Sequence, residues 1–123
     1  MLQPNKKNLR ASKQLFRSIF ENAQLGIGIF KIKSQEHFSN HALQEMLGYT
    51  QGQLSHLEQW DEIVPADERV ACAERYMELV QGKREKDEYE QHFIRRDGSI
   101  FLGNGRFQLL RDATGKPEYI LAY

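Results

Sequence analysis

Apolar residues along this chain recur at helical spacing in some stretches and alternate in others, and the switches between the two periods lay out its elements. Over residues 12–22, Leu15, Phe16, Ile19 and Phe20 form one apolar stripe on an otherwise charged helix. Such a stripe needs a surface to cover it. The run GIGIFKI (residues 26–32) is rich in β-branched and aromatic residues, and His37 and Phe38 follow a polar turn at residues 33–36; together they predict a hairpin. Asn40 is placed to cap a helix that carries Leu43, Met46 and Leu47 on one face and stops at Gly48. Leu54, Leu57, Trp60 and Ile63 then fall at roughly helical intervals with weak capping, which predicts short, irregular helical turns.

Pro65 interrupts whatever precedes it, and Asp67 is a candidate cap for a helix running to Gln81. Its apolar positions Val70, Ala73, Met77 and Val80 recur at i, i+3, i+7 and i+10, so this stripe is the expected core face. After Gly82 and a charged connector come three expected strands, at about residues 88–95, 99–111 and 116–123. Asp97-Gly98 tolerates the backbone of a tight hairpin turn, and Asp112 to Gly115 joins the last two strands. Two strands, a group of helices and a three-strand meander make an α+β fold: a single domain with a five-stranded antiparallel sheet, helices on one face, and an N-terminal helix. Residues 1–24 are assigned to that helix as a cap or dimerisation element, and residues 25–123 to the domain proper.

Composition narrows the function classes. Seventeen basic residues balance seventeen acidic ones over 123 residues, so no surplus of positive charge is available for a nucleic-acid backbone or an anionic membrane surface. The longest apolar stretch is far shorter than the ~18 residues a membrane span needs, and the polar, basic start has no export signal. One cysteine, Cys72, cannot form an internal disulfide, which fits a reducing compartment; the cytoplasm is the expected location.

Four segments in order resemble the PAS domain, the sensory box of bacterial-type signalling proteins. FSNHALQEMLGY (residues 38–49) resembles that family's strand ending in Asn followed by a short helix closing on Gly-Tyr, and WDEIVPADER (residues 60–69) its Pro-x-Asp-x-Arg-like element. RRDGS (residues 95–99) is similar to the hairpin turn ahead of its last strands, and residues 111–115 to its final turn. The resemblance extends over roughly residues 16–123. It implies a sensory or dimerising module that passes a signal to an attached effector, such as a histidine kinase or a diguanylate cyclase. No effector lies in this chain, and the family's closing Asp-x-Thr is absent, so the chain is expected to be a piece of a longer signalling protein.

Strand alternation sorts the side chains into two faces. Laid beside light-oxygen-voltage members of the family, which it resembles in length and in its closing Arg-Asp, the long strand turns Phe101, Gly103, Gly105, Phe107 and Leu109 toward the helices. Glycine inside a strand weakens it and needs a reason. Two glycines facing the helical layer leave either room for a bound molecule or space for a large neighbour such as Met77 or Trp60. Tyr89, Gln91 and Phe93 share the inner face of the preceding strand, where the Gln91 amide either bonds to backbone or orients a ligand. The expected lining is therefore Gln91, Phe93, Phe101, Gly103, Gly105 and Phe107 from the strands. Ile29, Met46, Trp60 and Met77 complete it. The outer face is apolar as well, with Leu102, Leu110, Tyr119, Leu121 and Tyr123. The N-terminal helix is expected to cover it, in its own chain or in a homodimer, and the homodimer is favoured.

Other chemistry is thinly represented. His37, His41, His56 and His92 have no metal-ligand spacing on a shared surface. Haem-binding PAS domains carry an axial His on the helix that here runs over residues 67–81, and this helix has none. The flavin-photoreceptor subgroup needs Cys within Gly-x-Asn-Cys near residues 54–58, and that motif is missing. Haem and covalent FMN are thus disfavoured, while a small metabolite or FAD stays open. The acids Glu85, Asp87, Glu88 and Glu90 alternate with Lys83, Arg84 and Lys86 and read as a solvated connector. No catalytic set emerges, so the domain itself is not expected to be an enzyme. The competing readings are a ligand-free dimerisation module and a small α+β pocket enzyme using acid–base chemistry.

Overall fold

The computed structural model describes residues 6–55 and 60–123, with the side chains of residues 6, 7, 60 and 61 left outside that description. In chain order it contains α1 (Lys6–Asn22), β1 (Gly28–Lys31), β2 (His37–Ser39), α2 (His41–Leu47) and α3 (Gln51–Ser55). Two single 3₁₀ turns (Trp60–Ile63 and Ala66–Glu68) lead into α4 (Arg69–Val80), and β3 (Lys86–Ile94), β4 (Ile100–Arg111) and β5 (Pro117–Ala122) follow. The five strands form one antiparallel sheet, as expected, and their order is β2-β1-β5-β4-β3.

Short polar devices set the connections. Asn40 is fully buried and its side chain makes three bonds: Oδ1 accepts from the Leu43 N–H at 3.0 Å, capping α2, and from the Ile27 N–H at 2.9 Å, while Nδ2 donates to the Leu25 carbonyl at 2.8 Å. One amide therefore joins the segment after α1, the start of β1 and the first turn of α2. Gly48 closes α2 at φ 79°, a left-handed conformation that a side chain would strain. At the β3–β4 turn the Asp97 carboxylate accepts from the Ser99 N–H (2.9 Å) and hydroxyl (2.6 Å). At the β4–β5 turn Asp112 accepts from the Thr114 N–H, the Thr114 hydroxyl and the Lys116 N–H. These bonds hold both carboxyls below the usual carboxylate range.

Among the described residues the core falls into two clusters. Leu47, Leu54, Ile63 and Val64 form the first, with Phe93 and Phe101 packed against it; Leu79, Leu109 and Ile120 form the second, with Phe30 and Phe107 against it. α4 reaches both, through Cys72 and Leu79. Its phase differs from the expected one. Val70 is 70% exposed and Met77 46% exposed, whereas Leu79 is buried. The apolar residues of α4 lie on both flanks, and burying Leu79 against Leu109 and Ile120 brings Cys72, one heptad earlier, inward while turning Val70, Ala73 and Met77 out.

α1 packs against α2. Only Phe20 of its stripe is buried; Leu15, Phe16 and Ile19 are 63%, 58% and 61% exposed. The outer sheet face is not closed within the chain either, since Phe38, Ile100, Leu102 and Leu110 are exposed.

Two stability predictions follow from these contacts. Replacing Asn40 by Ala strands the Leu25 carbonyl and two backbone N–H groups, and should cost about 3 kcal/mol. Asn40→Asp keeps both accepted bonds and loses the donated one, so it should fall between wild type and Ala in urea midpoint at an unchanged slope. His37 is a titration probe: burial holds its imidazole below the ordinary value, opposed by a bond with the Leu54 backbone. The unfolded chain then takes up this proton first. Stability is whole above about pH 6.5 and declines as the pH falls below it. His37→Gln should flatten that part of the stability–pH curve, as read by denaturant titration at successive pH values.

Candidate functional site

The register of β3 and β4 builds the inner face one pair at a time. Tyr89 stands opposite Gly105, Gln91 opposite Gly103 and Phe93 opposite Phe101. Phe93 and Phe101 stack at 5.5 Å between centroids, and Tyr89 and Phe107 at 5.1 Å. Each stack leans over a glycine. A Cβ on Gly103 would lie 2.8 Å from Cε2 of Phe93, and one on Gly105 would lie 2.8 Å from Cε2 of Phe107. The expectation of a bare patch is corrected accordingly. The glycines exist so that aromatic rings can lie flat on the sheet, and the occupants are Phe93 and Phe107 rather than Met77.

Gln91 stands between the two stacks. It is 4% exposed, a polar side chain on an otherwise aromatic wall. The structure thus brings Gln91, Phe93, Phe101, Gly103, Gly105 and Phe107 together on one wall of the interior.

The other expected lining residues lie elsewhere. Ile29 pairs with Phe38 on one side and Leu121 on the other, which places it on the outer face; its neighbours Gly28 and Phe30 take the inner positions. Met46 is exposed because Leu47, the next residue, turns into the first cluster. Met77 lies on the solvent side of α4 in an open depression with Ala73, Glu74, Glu78 and Gln81. The Trp60 side chain lies outside the described residues.

Sequence reading missed a polar group beside Tyr89. Asp87 is not part of a solvated connector: its side chain is 6% exposed and receives Arg75 Nη1 at 3.1 Å, with Arg84 at 3.8 Å. The Arg75 guanidinium also lies 4.0 Å from the Tyr89 ring centroid, and the Tyr89 hydroxyl meets Cys72 Sγ at 4.0 Å. Burial, with Cys72 adding to it, pushes the Tyr89 hydroxyl pKa upward, so the ring stays neutral. The signal was present in the alternation, since Asp87 has the same parity as Tyr89, Gln91 and Phe93. Among the described residues no group of three or more His, Cys, Asp and Glu side chains could hold a metal ion, and no helix is long and apolar enough to cross a membrane.

The fold is shared with known proteins. Residues 36–123 match the family described as PAS fold. The sensor histidine kinase TmoS of Ectopseudomonas mendocina is 26% identical over 120 residues, covering 98% of this chain and 12% of that protein, so the chain spans about an eighth of its relative. A domain of the sensory box sensor histidine kinase/response regulator from Geobacter sulfurreducens superposes with a TM-score of 0.70 at 23% identity, covering 96% of each chain. The N-terminal domain of a diguanylate cyclase with PAS/PAC sensor from Marinobacter aquaeolei gives 0.69 at 15% identity, over 80% of this chain and 91% of that one. With the five-stranded antiparallel sheet, the Asn40-capped helix after β2 and the family match over most of its length, this chain belongs to the PAS family of sensory domains.

Proposed function

We propose that this PAS domain is the sensory and relay module of a longer cytoplasmic signalling protein, and that it pairs with a second copy through α1 and the outer sheet face. Its output is the control of an attached effector, a histidine kinase or a diguanylate cyclase. The observation that carries this reading is the pair of open apolar surfaces. The α1 stripe of Leu15, Phe16 and Ile19 faces solvent, and so do Ile100 and Leu102 on the outer sheet. Contiguous apolar surface of this kind is rare on a monomer, and joining the two surfaces removes both from water. The relatives point the same way as regards the effector, because a sensor kinase and a cyclase with a PAS/PAC sensor are among them.

A second reading, that the interior also takes a small molecule, is favoured by Gln91, a polar side chain only 4% exposed between two aromatic stacks. Occupancy would act on the output only through a difference in affinity between two arrangements of the pair.

Sedimentation equilibrium tests the pairing. Phe16→Glu combined with Ile19→Glu should convert a dimer to monomer while leaving the circular dichroism unchanged, because both side chains are exposed. Leu102→Glu should do the same from the opposite surface. A wild-type domain that sediments as a monomer, or a dimer indifferent to both changes, refutes the interface.

A further inference from the structure

β3 lies at one edge of the sheet and pairs with β4 alone. Its backbone groups alternate in direction. The Arg95 N–H donates to the Ser99 carbonyl and the Glu85 carbonyl accepts from the Leu109 N–H, so odd-numbered residues turn toward β4 and even-numbered ones point out of the sheet. An outward row of this kind is a template for another strand. Here the row is stopped at two places. The Glu88 N–H donates to Asp87 Oδ1 at 2.9 Å, and Asp87 is itself held by Arg75 of α4 at 3.1 Å. The His92 N–H donates to Glu68 Oε1 at 3.2 Å, and the other oxygen of that carboxylate meets His92 Nδ1 at 2.8 Å. An added strand bonds to every second residue, so it needs residues 88, 90 and 92 as donors, and a carboxylate already stands on two of the three.

We propose that the β3 edge is a second interaction surface of this domain, one that takes β3 of another copy, and that Glu68 is the latch that keeps it shut. The surface is separate from the α1 stripe and does not rest on the pairing given above. Charge identifies the occupant. Antiparallel pairing of two β3 edges about a two-fold axis at Gln91 sets Glu90 of each copy opposite His92 of the other. The imidazole that Glu68 holds is then met by a different carboxylate, and symmetry makes the contact twice. Moving the axis to Glu90 would set Glu90 against Glu90, so that register is disfavoured. α4 works the latch, because Glu68 stands immediately before it and Arg75 lies on it. A displacement of α4 lifts both stops together. Leu79 of the same helix sits in the second core cluster, which ties the edge to the packing of the interior.

Hydrogen exchange by NMR and sedimentation read the latch in the intact domain carrying Phe16→Glu and Ile19→Glu, which removes the pairing through α1. With each rate corrected for residue type, the His92 amide should exchange about tenfold more slowly than that of Glu90, the equivalent of one hydrogen bond. Equal rates overturn the latch without any change at Glu68. Glu68→Ala should release the His92 amide and convert monomer to dimer, with the Glu90 amide newly protected. Glu68→Gln, whose side-chain carbonyl still accepts from the His92 N–H, should stay a monomer. Glu90→Pro deletes the central donor at a position where the N–H points away from β4, so the sheet tolerates it. Added to Glu68→Ala it should restore the monomer. A folded Glu68→Ala domain that stays monomeric with Glu90 unprotected, or a dimer that survives Glu90→Pro, overturns the assignment.

Discussion

The fully buried amide of Asn40 is the constraint on which the layout of this domain depends. A short two-stranded hairpin and a seven-residue helix have little stability of their own, because each fixes many backbone torsions for few contacts. Asn40 removes that weakness by serving three chain segments at once: the stretch after α1, the first residues of β1 and the start of α2. The Gln51 side chain adds a second tie, donating to the His37 carbonyl and accepting from the Ser39 N–H, so α3 is hung from β2 by the same means. Leu47 and Leu54 are thereby carried over the inner face of the sheet, and the first core cluster forms under them. α1 leaves the domain at the point that Asn40 secures, so the outer helix and the inner core share one anchor.

The opposite half of the sheet obeys a different rule. Glycine in a long strand sacrifices packing and backbone entropy, yet β4 carries two within three residues. The cost is offset because Phe93 and Phe107 lay their rings where a Cβ would stand, which flattens the aromatic layer against the sheet. Flattening has a consequence for the middle of the face. The two stacks belong to two clusters, and the polar Gln91, 4% exposed, lies between them. A purely structural core would gain from a leucine at that position, since leucine fills a similar volume with nothing to desolvate.

How far these features were legible depended on the range of the interaction behind each. Asn40, Gly48, Asp97-Gly98 and the Asp112 turn act within a few residues, and local chemistry declared them. Alternation over the twelve residues of β4 leaves two possible phases, and the resemblance to light-oxygen-voltage members chose the one with Phe101 and the glycines inward. α4 was misjudged for the opposite reason. Its apolar residues lie on both flanks, and the choice between flanks is made by Leu109 and Ile120, which are distant in sequence. Ile29 was placed inside because its apolar strand gives no alternation to read; pairing with Phe38 and Leu121 decides its face. Asp87 looked like one acid in a charged run. Its burial comes from Arg75 on α4, twelve residues away, a contact that alternation permits and does not announce.

The two surfaces meet in β5, and this bears on how an interior event could reach the exterior. β5 is the central strand, bonded to β1 on one side and β4 on the other. Along it Ile120 is fully buried in the second cluster beside Phe107, while Tyr119 and Leu121 project to the outer face. A rearrangement at Phe107 would meet Ile120 first, and Tyr119 and Leu121 are its neighbours on the same strand. Close packing makes such a layer respond in discrete steps rather than by gradual yielding. A pairing surface built on Leu121 and Leu102 would feel the state of the interior with no moving hinge in between, provided the ligand and the partner favour the same arrangement of the strand.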